Sequence, residues 1–406
     1  MPNTPTVALL ATLDTKAEEV GFLKQELEAL GAQTLVVDIG VVGEPGITPD
    51  LDRARVAAAG GSSMEALLQN PTRQEASPVM IAGATKLLLE HVQAGKVQGV
   101  LSLGGTQGTS NGCAVMQQLP YGLPKIMVST VASGDCAPFV GIKDITMMFS
   151  VGDVLGLNPF TRRLLKNAAG AAYGMALGGS LDWQGASDKP LIGMTNLGVL
   201  TEGAMHALER FREAGYEVIV FHAVGSGGAA MEQMMKEGII GAVFDYALGE
   251  ISDALFDGLR AGNDERLTVA GKLGLPQVLC PGGSEHIGLM VEPDTVPERY
   301  LQHQHVFHNP IIFAPRLNVE EWAAVAQEVG KRLCHTQGKA VMMLPLQGTS
   351  RYSIEGGPLR NPEEDAQFFQ AMREALPSSI EVVEMDAAAE DPAFVDAAVE
   401  RLLAML

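Results

Sequence analysis

Apolar and polar positions along this chain fall into alternating blocks. Short runs rich in Val, Ile and Leu predict strands at Val7–Leu13, Thr34–Val42, Gly99–Leu103 and Lys125–Val131, and longer mixed stretches predict helices over Thr15–Leu30 and Ala82–Ala94. Near-continuous apolar strands are those covered on both faces, as in a parallel sheet whose crossovers are helical. Each strand ends in a loop of Gly, Thr, Ser or Asp.

A second cycle begins after the polar stretch Trp183–Pro190. It has strands at Leu191–Thr195, Glu217–His222, Ala242–Tyr246 and Gln277–Cys280, with helices at Glu202–Ala214 and Ala229–Glu237 between them. Further strands follow at Pro310–Phe313, Ala340–Leu344 and Ile380–Met385, with helices at Glu320–Leu333, Glu363–Leu376 and Pro392–Leu406. The two cycles align: Val97–Gly105 resembles Ile239–Ala247, and Leu123–Val128 resembles Leu275–Cys280, which suggests duplication of one fold. The pattern predicts an α/β protein of two tandem Rossmann-like domains, residues 1–185 and a larger 186–406, each a mostly parallel sheet flanked by helices.

Composition agrees with that picture and narrows the partners. A chain of 406 residues exceeds the usual ceiling for one core, and 47% apolar residues fill two. The formal charge of −20 and the lack of a basic block argue against nucleic acid, so an anionic ligand must be held mainly by main-chain N–H groups. The cysteines, Cys113, Cys136, Cys280 and Cys334, form no CxxC pair and fit neither a disulfide framework nor a cysteine zinc site. No basic-then-apolar leader precedes Val7, and the Ala/Gly run Ala168–Gly179 is too short to span a bilayer and reads as a closely packed helix. The expectation is a cytoplasmic protein without membrane association.

In doubly wound sheets ligands bind beyond the carboxyl ends of the strands, where strand order reverses. Three loops of the first half are placed for this. Gly104-Gly105-Thr106-Gln107-Gly108-Thr109-Ser110 follows a buried strand and opens a helix, aiming unpaired N–H groups and hydroxyls at an anion. It is neither the Walker pattern, since no Lys follows, nor the dinucleotide fingerprint. Thr12-Leu13-Asp14-Thr15-Lys16 also joins a strand to a helix; Asp14 or Thr15 either caps that helix or meets a ligand, and Lys16 opposes the helix dipole unless an anion compensates it. Ser129–Asp135 brings Thr130, Ser133 and Gly134, with Asp135 either holding Mg²⁺ beside phosphates or capping the next helix.

The second half offers Gly225-Ser226-Gly227-Gly228 and Gln347-Gly348-Thr349-Ser350 as candidate substrate loops, the latter repeating the tetrapeptide of positions 107–110. Glu250, Glu285 and His286 are candidate general acid/base groups, because His titrates near neutrality and burial tunes Glu upward; the alternative for the pair is polar residues on a turn. His303, His305 and His308 form an H-x-H-x-x-H string open to a metal-site reading, though no cysteine completes it. No HExxH helix occurs.

Together, Ala11–Lys16, Ser102–Thr109, Val128–Asp135, Asp144–Met148, Leu157-Asn158, Asn167–Ala171, His308–Pro310 and Pro345–Ser350 carry a resemblance over nearly the whole chain. The chain resembles an uncharacterised-protein family that includes the ATP-binding inhibitory domain of the tomato mosaic virus resistance protein. The resemblance implies ATP bound with Mg²⁺ and association as a dimer or larger homo-oligomer. It supplies no settled reaction. Pro281–Gly288, where relatives tend to carry a Gly-Ala-Leu-Asp type loop, departs from the pattern.

The expectation is therefore an ATP-binding protein whose phosphates sit on the 104–110 loop, with a small polar metabolite on the second-domain loops across an interdomain cleft. Two alternatives stay open: a nucleotide-sensing interaction protein without chemistry, and a lyase or hydrolase of a small acid or sugar phosphate that does not use ATP.

Overall fold

The structure, a computed structural model, describes residues 4–69, 72–178, 189–292 and 295–406. The chain divides into two compact units, Met1–Asp182 and Trp183–Leu406. The expected divider, Trp183–Pro190, lies outside the described residues as far as position 188, as does Gly179 at the end of the Ala/Gly run.

The first unit is a five-stranded sheet, all parallel, in the order β2-β1-β3-β4-β5. Its strands are β1 (Thr6–Ala11), β2 (Gln33–Asp38), β3 (Gly99–Gly104), β4 (Lys125–Ser129) and β5 (Thr146–Phe149). Alternate positions feed two cores. Val7, Leu9 and Ala11 pack with helices α1 (Ala17–Ala29) and α7 (Pro159–Gly178), while Ala8 and Leu10 pack on the other face with α2 (Arg53–Ala59), α3 (Met64–Gln69), α4 (Arg73–Gln93) and α5 (Thr106–Gln117). α4 begins nine residues before the apolar periodicity announces it, because its first turns are polar and it contains Pro78. α2, rich in Ala, and α3, both short, and the half-exposed edge strand β5 were also silent in the pattern. α2 and α4 touch through glycine: a Cβ on Gly83 would lie 1.9 Å from the Val56 carbonyl oxygen, so only glycine lets these main chains meet.

The second unit has a six-stranded parallel sheet, β14-β13-β9-β8-β6-β7. These strands are β6 (Ile192–Asn196), β7 (Val218–His222), β8 (Ala242–Ala247), β9 (Gln277–Gly282), β13 (Ala340–Pro345) and β14 (Glu381–Met385). Helices α8 (Thr201–Glu213) and α14 (Pro392–Leu403) cover one face. On the other lie α9 (Ser226–Lys236) and α11 (Val269–Leu273) over one part, and α12 (Val319–Leu333) and α13 (Pro362–Ala375) over another. The expected strand Pro310–Phe313 is instead β12 (Ile312–Pro315), the middle of a small antiparallel sheet with β10 (Leu289–Met290) and β11 (His305–Asn309).

Counted within each unit, strand order is 2-1-3-4-5 in the first and 2-1-3-4-5-6 in the second. The paired sequences fall on matching strands: Val97–Gly105 leads into β3 and Ile239–Ala247 into β8, each third in its unit, and Leu123–Val128 and Leu275–Cys280 lead into the fourth strands. Order reverses between β1 and β3 in one unit and between β6 and β8 in the other, which locates two crevices. No helix among the described residues is long and apolar enough to cross a membrane.

Candidate functional site

At the β1/β3 reversal of the first unit lies a cleft of about 590 Å³. One side is built by the loops after β1 and β3: Thr12, Asp14, Thr15 and Lys16 face Gly104, Gly105, Thr106, Gln107 and Gly108. Gly105 is the N-cap of α5 and has no side chain to cap it, so the N–H groups of Thr106, Gln107 and Gly108 point out of the first turn without helical partners. Gly104 must be glycine, since a Cβ there would stand 2.7 Å from the Cα of Gly108. The opposite side is apolar, with Ile39, Val41 and Val42 after β2 and Ala76 and Met80 from α4.

Charges in the cleft are held in place by the main chain. Lys16 donates from Nζ to the Val154 carbonyl, leaving two of its three protons for other acceptors. Asp14 accepts the Gly43 N–H on Oδ2 at 3.2 Å, while its buried Oδ1 has no partner. Neither Asp14 nor Thr15 caps α1, whose N-cap is Lys16 and lacks a side-chain cap bond. Asp38, at the end of β2, accepts N–H groups of Leu13 (3.1 Å) and Gly40 (2.8 Å); burial pushes its carboxyl above the usual range, partly offset by those bonds. Gln107 donates to Ser77 at 3.2 Å and Asn111 at 2.8 Å, tying the first turn of α5 to α4.

Other expected members of this site lie elsewhere. Thr109 is fully buried and shares a hydrogen with Ser129 at 2.7 Å, so its hydroxyl braces α5 against β4. Ser110 is exposed within α5, and Thr130, Ser133 and Gly134 do not line the cleft. Asp135 accepts the Ala137 N–H at 2.9 Å, just before a short helical turn, Ala137–Val140, whose N-cap is Cys136. Asp153, Asn111, Ser77 and Met80 line the cleft without having been read from the sequence. The α4 residues were hidden because the polar start of that helix gave no periodicity.

In the second unit, Glu250 is fully buried. Its Oε1 accepts N–H groups of Gly225 (2.6 Å) and Gly228 (3.1 Å), and its Oε2 accepts Arg266 Nε (2.6 Å). The anion at the start of α9 is therefore the chain's own, and the Gly225–Gly228 loop, with Ser226 and Gly227, serves that contact. Gln347-Gly348-Thr349-Ser350 does not repeat the helix start of 107–110. Thr349 and Ser350 are buried and donate their hydroxyls to Glu285, and Gln347 pairs with Asp386 and Arg360. Burial alone would raise the Glu285 carboxyl, but His286 and these two hydroxyls outweigh it and hold it at about 2.

His286 Nδ1 lies 3.0 Å from Glu285 Oε1, and its Nε2 lies 3.3 Å from Arg260 Nη1. Arginine only donates, so when the ring is neutral Nε2 accepts this contact and the proton sits on Nδ1, toward Glu285. Arg260 in turn is clamped by Asp253 through Nε (3.0 Å) and Nη2 (2.8 Å). His303, His305 and His308 have separate Nδ1 partners: the Arg316 carbonyl, the His303 carbonyl and the Tyr352 hydroxyl. Among the described residues no group of three or more His, Cys, Asp or Glu is gathered to hold a metal ion.

Comparison with known proteins agrees with this two-unit architecture. The N-terminal domain of the uncharacterised protein family UPF0261 matches residues 5–180, and the C-terminal domain of the same family matches residues 189–406. A UPF0261 protein of Clostridium tetani is 37% identical over 98% of both chains, and one of Rhizobium meliloti is 35% identical over 97% of both. The ToMV resistance protein Tm-1(GCR237) of Solanum lycopersicum is 28% identical over 89% of this chain and 50% of its own.

Proposed function

The chain belongs to the UPF0261 family, with both domains in order, and from that footing we propose that its first unit binds ATP as the magnesium complex. The observation that carries the reading is the meeting, at one reversal of strand order, of an uncapped α5 terminus, Lys16 and an apolar wall. Helix N-termini favour phosphate through their free N–H groups and the helix dipole. The wall of Ile39, Val41 and Met80 suits a base, and the free Oδ1 of Asp14 is an acceptor in want of a donor such as a ribose hydroxyl or a metal-bound water.

The charge of the lining argues for the metal. Among the described residues of the lining, Lys16 is the one cation against Asp14 and Asp153, so a bare triphosphate would be repelled. Mg²⁺ is commonly held by one or two carboxylates together with substrate phosphates, and Asp153 and Asp14 are the carboxylates present, in place of Asp135. The metal would neutralise phosphate charge there.

Thermal denaturation with millimolar Mg-ATP tests the proposal. A ligand at 100 times its Kd adds about 2.7 kcal/mol. A raised Tm that disappears in Lys16→Met supports the site; no shift at all overturns it. The reading includes a cytoplasmic location and self-association, the latter checked by light scattering. No reaction is assigned. A sensing role without chemistry is favoured by one observation, that Glu250 and Glu285 spend their oxygens on internal partners. Phosphorus NMR separates the two, since ATP that stays intact on prolonged incubation fits sensing.

A further inference from the structure

The second unit has its own pocket at the carboxyl ends of β6, β7 and β9, closed by the β11–β12 hairpin and the loop after β13, with a volume of about 230 Å³. Its two sides differ in chemistry. Leu197, Val199, Leu259, Ile312 and Ala314 make an apolar side, and His222, Arg260, His286, His308 and Tyr352 a polar one. In a chain of net charge −20, no Asp or Glu among the described residues lines this pocket.

We propose that this pocket binds a small organic acid, a carboxylate on a short apolar body, with Arg260 and the Tyr352–His308 pair holding the carboxylate. The polar side offers donors that stay available. Arg260 spends Nε and Nη2 on Asp253 and the His286 carbonyl, but Nη1 has only its 3.3 Å contact with His286, which leaves one N–H free. Tyr352 Oη and His308 Nδ1 are 2.7 Å apart and share one hydrogen. Whichever atom donates it, the pair keeps another: the His308 Nε2–H in one case, the Tyr352 O–H in the other.

These donors are preorganised. Asp253 fixes the plane of the guanidinium, and Glu285 fixes the ring of His286 through Nδ1. A phosphate dianion suits the pocket less well than a carboxylate, because Arg260 is already paired with Asp253 and a dianion brings twice the uncompensated charge. A sugar suits it poorly as well, since among the described residues no carboxylate or amide side chain lines the pocket to accept its hydroxyls. The volume is below the usual range for drug-sized ligands and fits a compact acid.

The test uses the full-length protein and calorimetric titration with isovalerate and benzoate, beside isovaleramide, benzamide and inorganic phosphate. Each acid is expected to bind at least about tenfold more tightly than its amide or than phosphate, the loss for one charge-assisted hydrogen bond. Tyr352→Phe and His308→Gln should each weaken the acids severalfold while circular dichroism and the melting temperature stay near wild type. Leu259→Trp, which fills the apolar side, should abolish binding. Acids no tighter than their amides, phosphate tighter than both, or wild-type affinity in folded Tyr352→Phe and Leu259→Trp would each overturn the proposal. These readouts involve no nucleotide, so failure here leaves the ATP site standing, and the reverse.

Discussion

Glu250 Oε1 accepts the main-chain N–H of Gly225 at 2.6 Å, placing a buried carboxylate where the glycine-rich start of α9 would otherwise present itself to a ligand. The same carboxylate takes Arg266 Nε on its other oxygen, and Arg266 is chelated by Asp245 as well. Removing one partner of a buried pair leaves the other uncompensated, at a cost of about 3–5 kcal/mol. Glu250→Gln should therefore destabilise the second unit by an amount of that order, read by urea denaturation. If its midpoint matches wild type, the network contributes nothing of substance.

That contact explains how much could be read from the residues alone. Alternating apolar runs announce the parallel strands because burial on both faces demands them, and β3, β4, β8 and β9 were legible for that reason. The loop 104–108 was legible too, since a glycine-rich strand-to-helix turn signals free N–H groups whatever they meet. Gly225–Gly228 sends the same local signal. What distinguishes the two is a partner at Glu250, distant in sequence, and no local pattern encodes it. Arg260 and Tyr352 were missed for the same reason: each enters its pocket only through folds of the chain that bring Asp253, His286 and His308 beside it.

Two carboxyls should shape stability against pH in opposite directions. Glu232, Asp245 and Glu250 surround the single guanidinium of Arg266, and burial pushes Glu232 up to about 7 despite that cation. Its raised value means a contribution fully present below about pH 4.5 and lost as pH rises through 7, about 3 kcal/mol in all. Glu285, held at about 2, contributes above about pH 4.5 and loses that contribution as pH falls toward 2. Urea denaturation at a series of pH values should show a decline between pH 4.5 and 8 that is flattened in Glu232→Gln, and an acid limb that is flattened in Glu285→Gln. Parallel profiles for Glu232→Gln and wild type would dismiss the assignment.

Gly104 and Gly105 make a sharper pair for the ATP reading. A side chain at 104 collides with Gly108, whereas the nearest atom to a Cβ at 105 is Thr130 Oγ1 at 3.8 Å, and the backbone there (φ −74°) suits any residue. Serine is a better N-cap than glycine because its oxygen takes N–H groups of the first turn. Gly105→Ser should thus hold or slightly raise the melting temperature while blocking the N–H groups offered to phosphate, with Mg-ATP affinity falling at least about tenfold. Gly104→Ser should lower stability outright. Unchanged ATP affinity in a folded Gly105→Ser protein would move the phosphates away from α5.

The metal dependence follows from Asp153. With Asp14 and Asp153 both facing the cleft and, among the described residues, Lys16 alone opposing them, free ATP brings more negative charge into an already acidic lining, and Mg-ATP brings less. Chelating the metal should therefore weaken binding to the wild-type protein at least about tenfold. Asp153→Asn removes one repulsive charge and one candidate metal partner together, so it should weaken Mg-ATP while making metal-free ATP bind better than it does to wild type. Isothermal titration with and without EDTA reads both affinities, and their ratio is the decisive quantity: a ratio equal in variant and wild type would mean that Asp153 neither repels the nucleotide nor holds its metal.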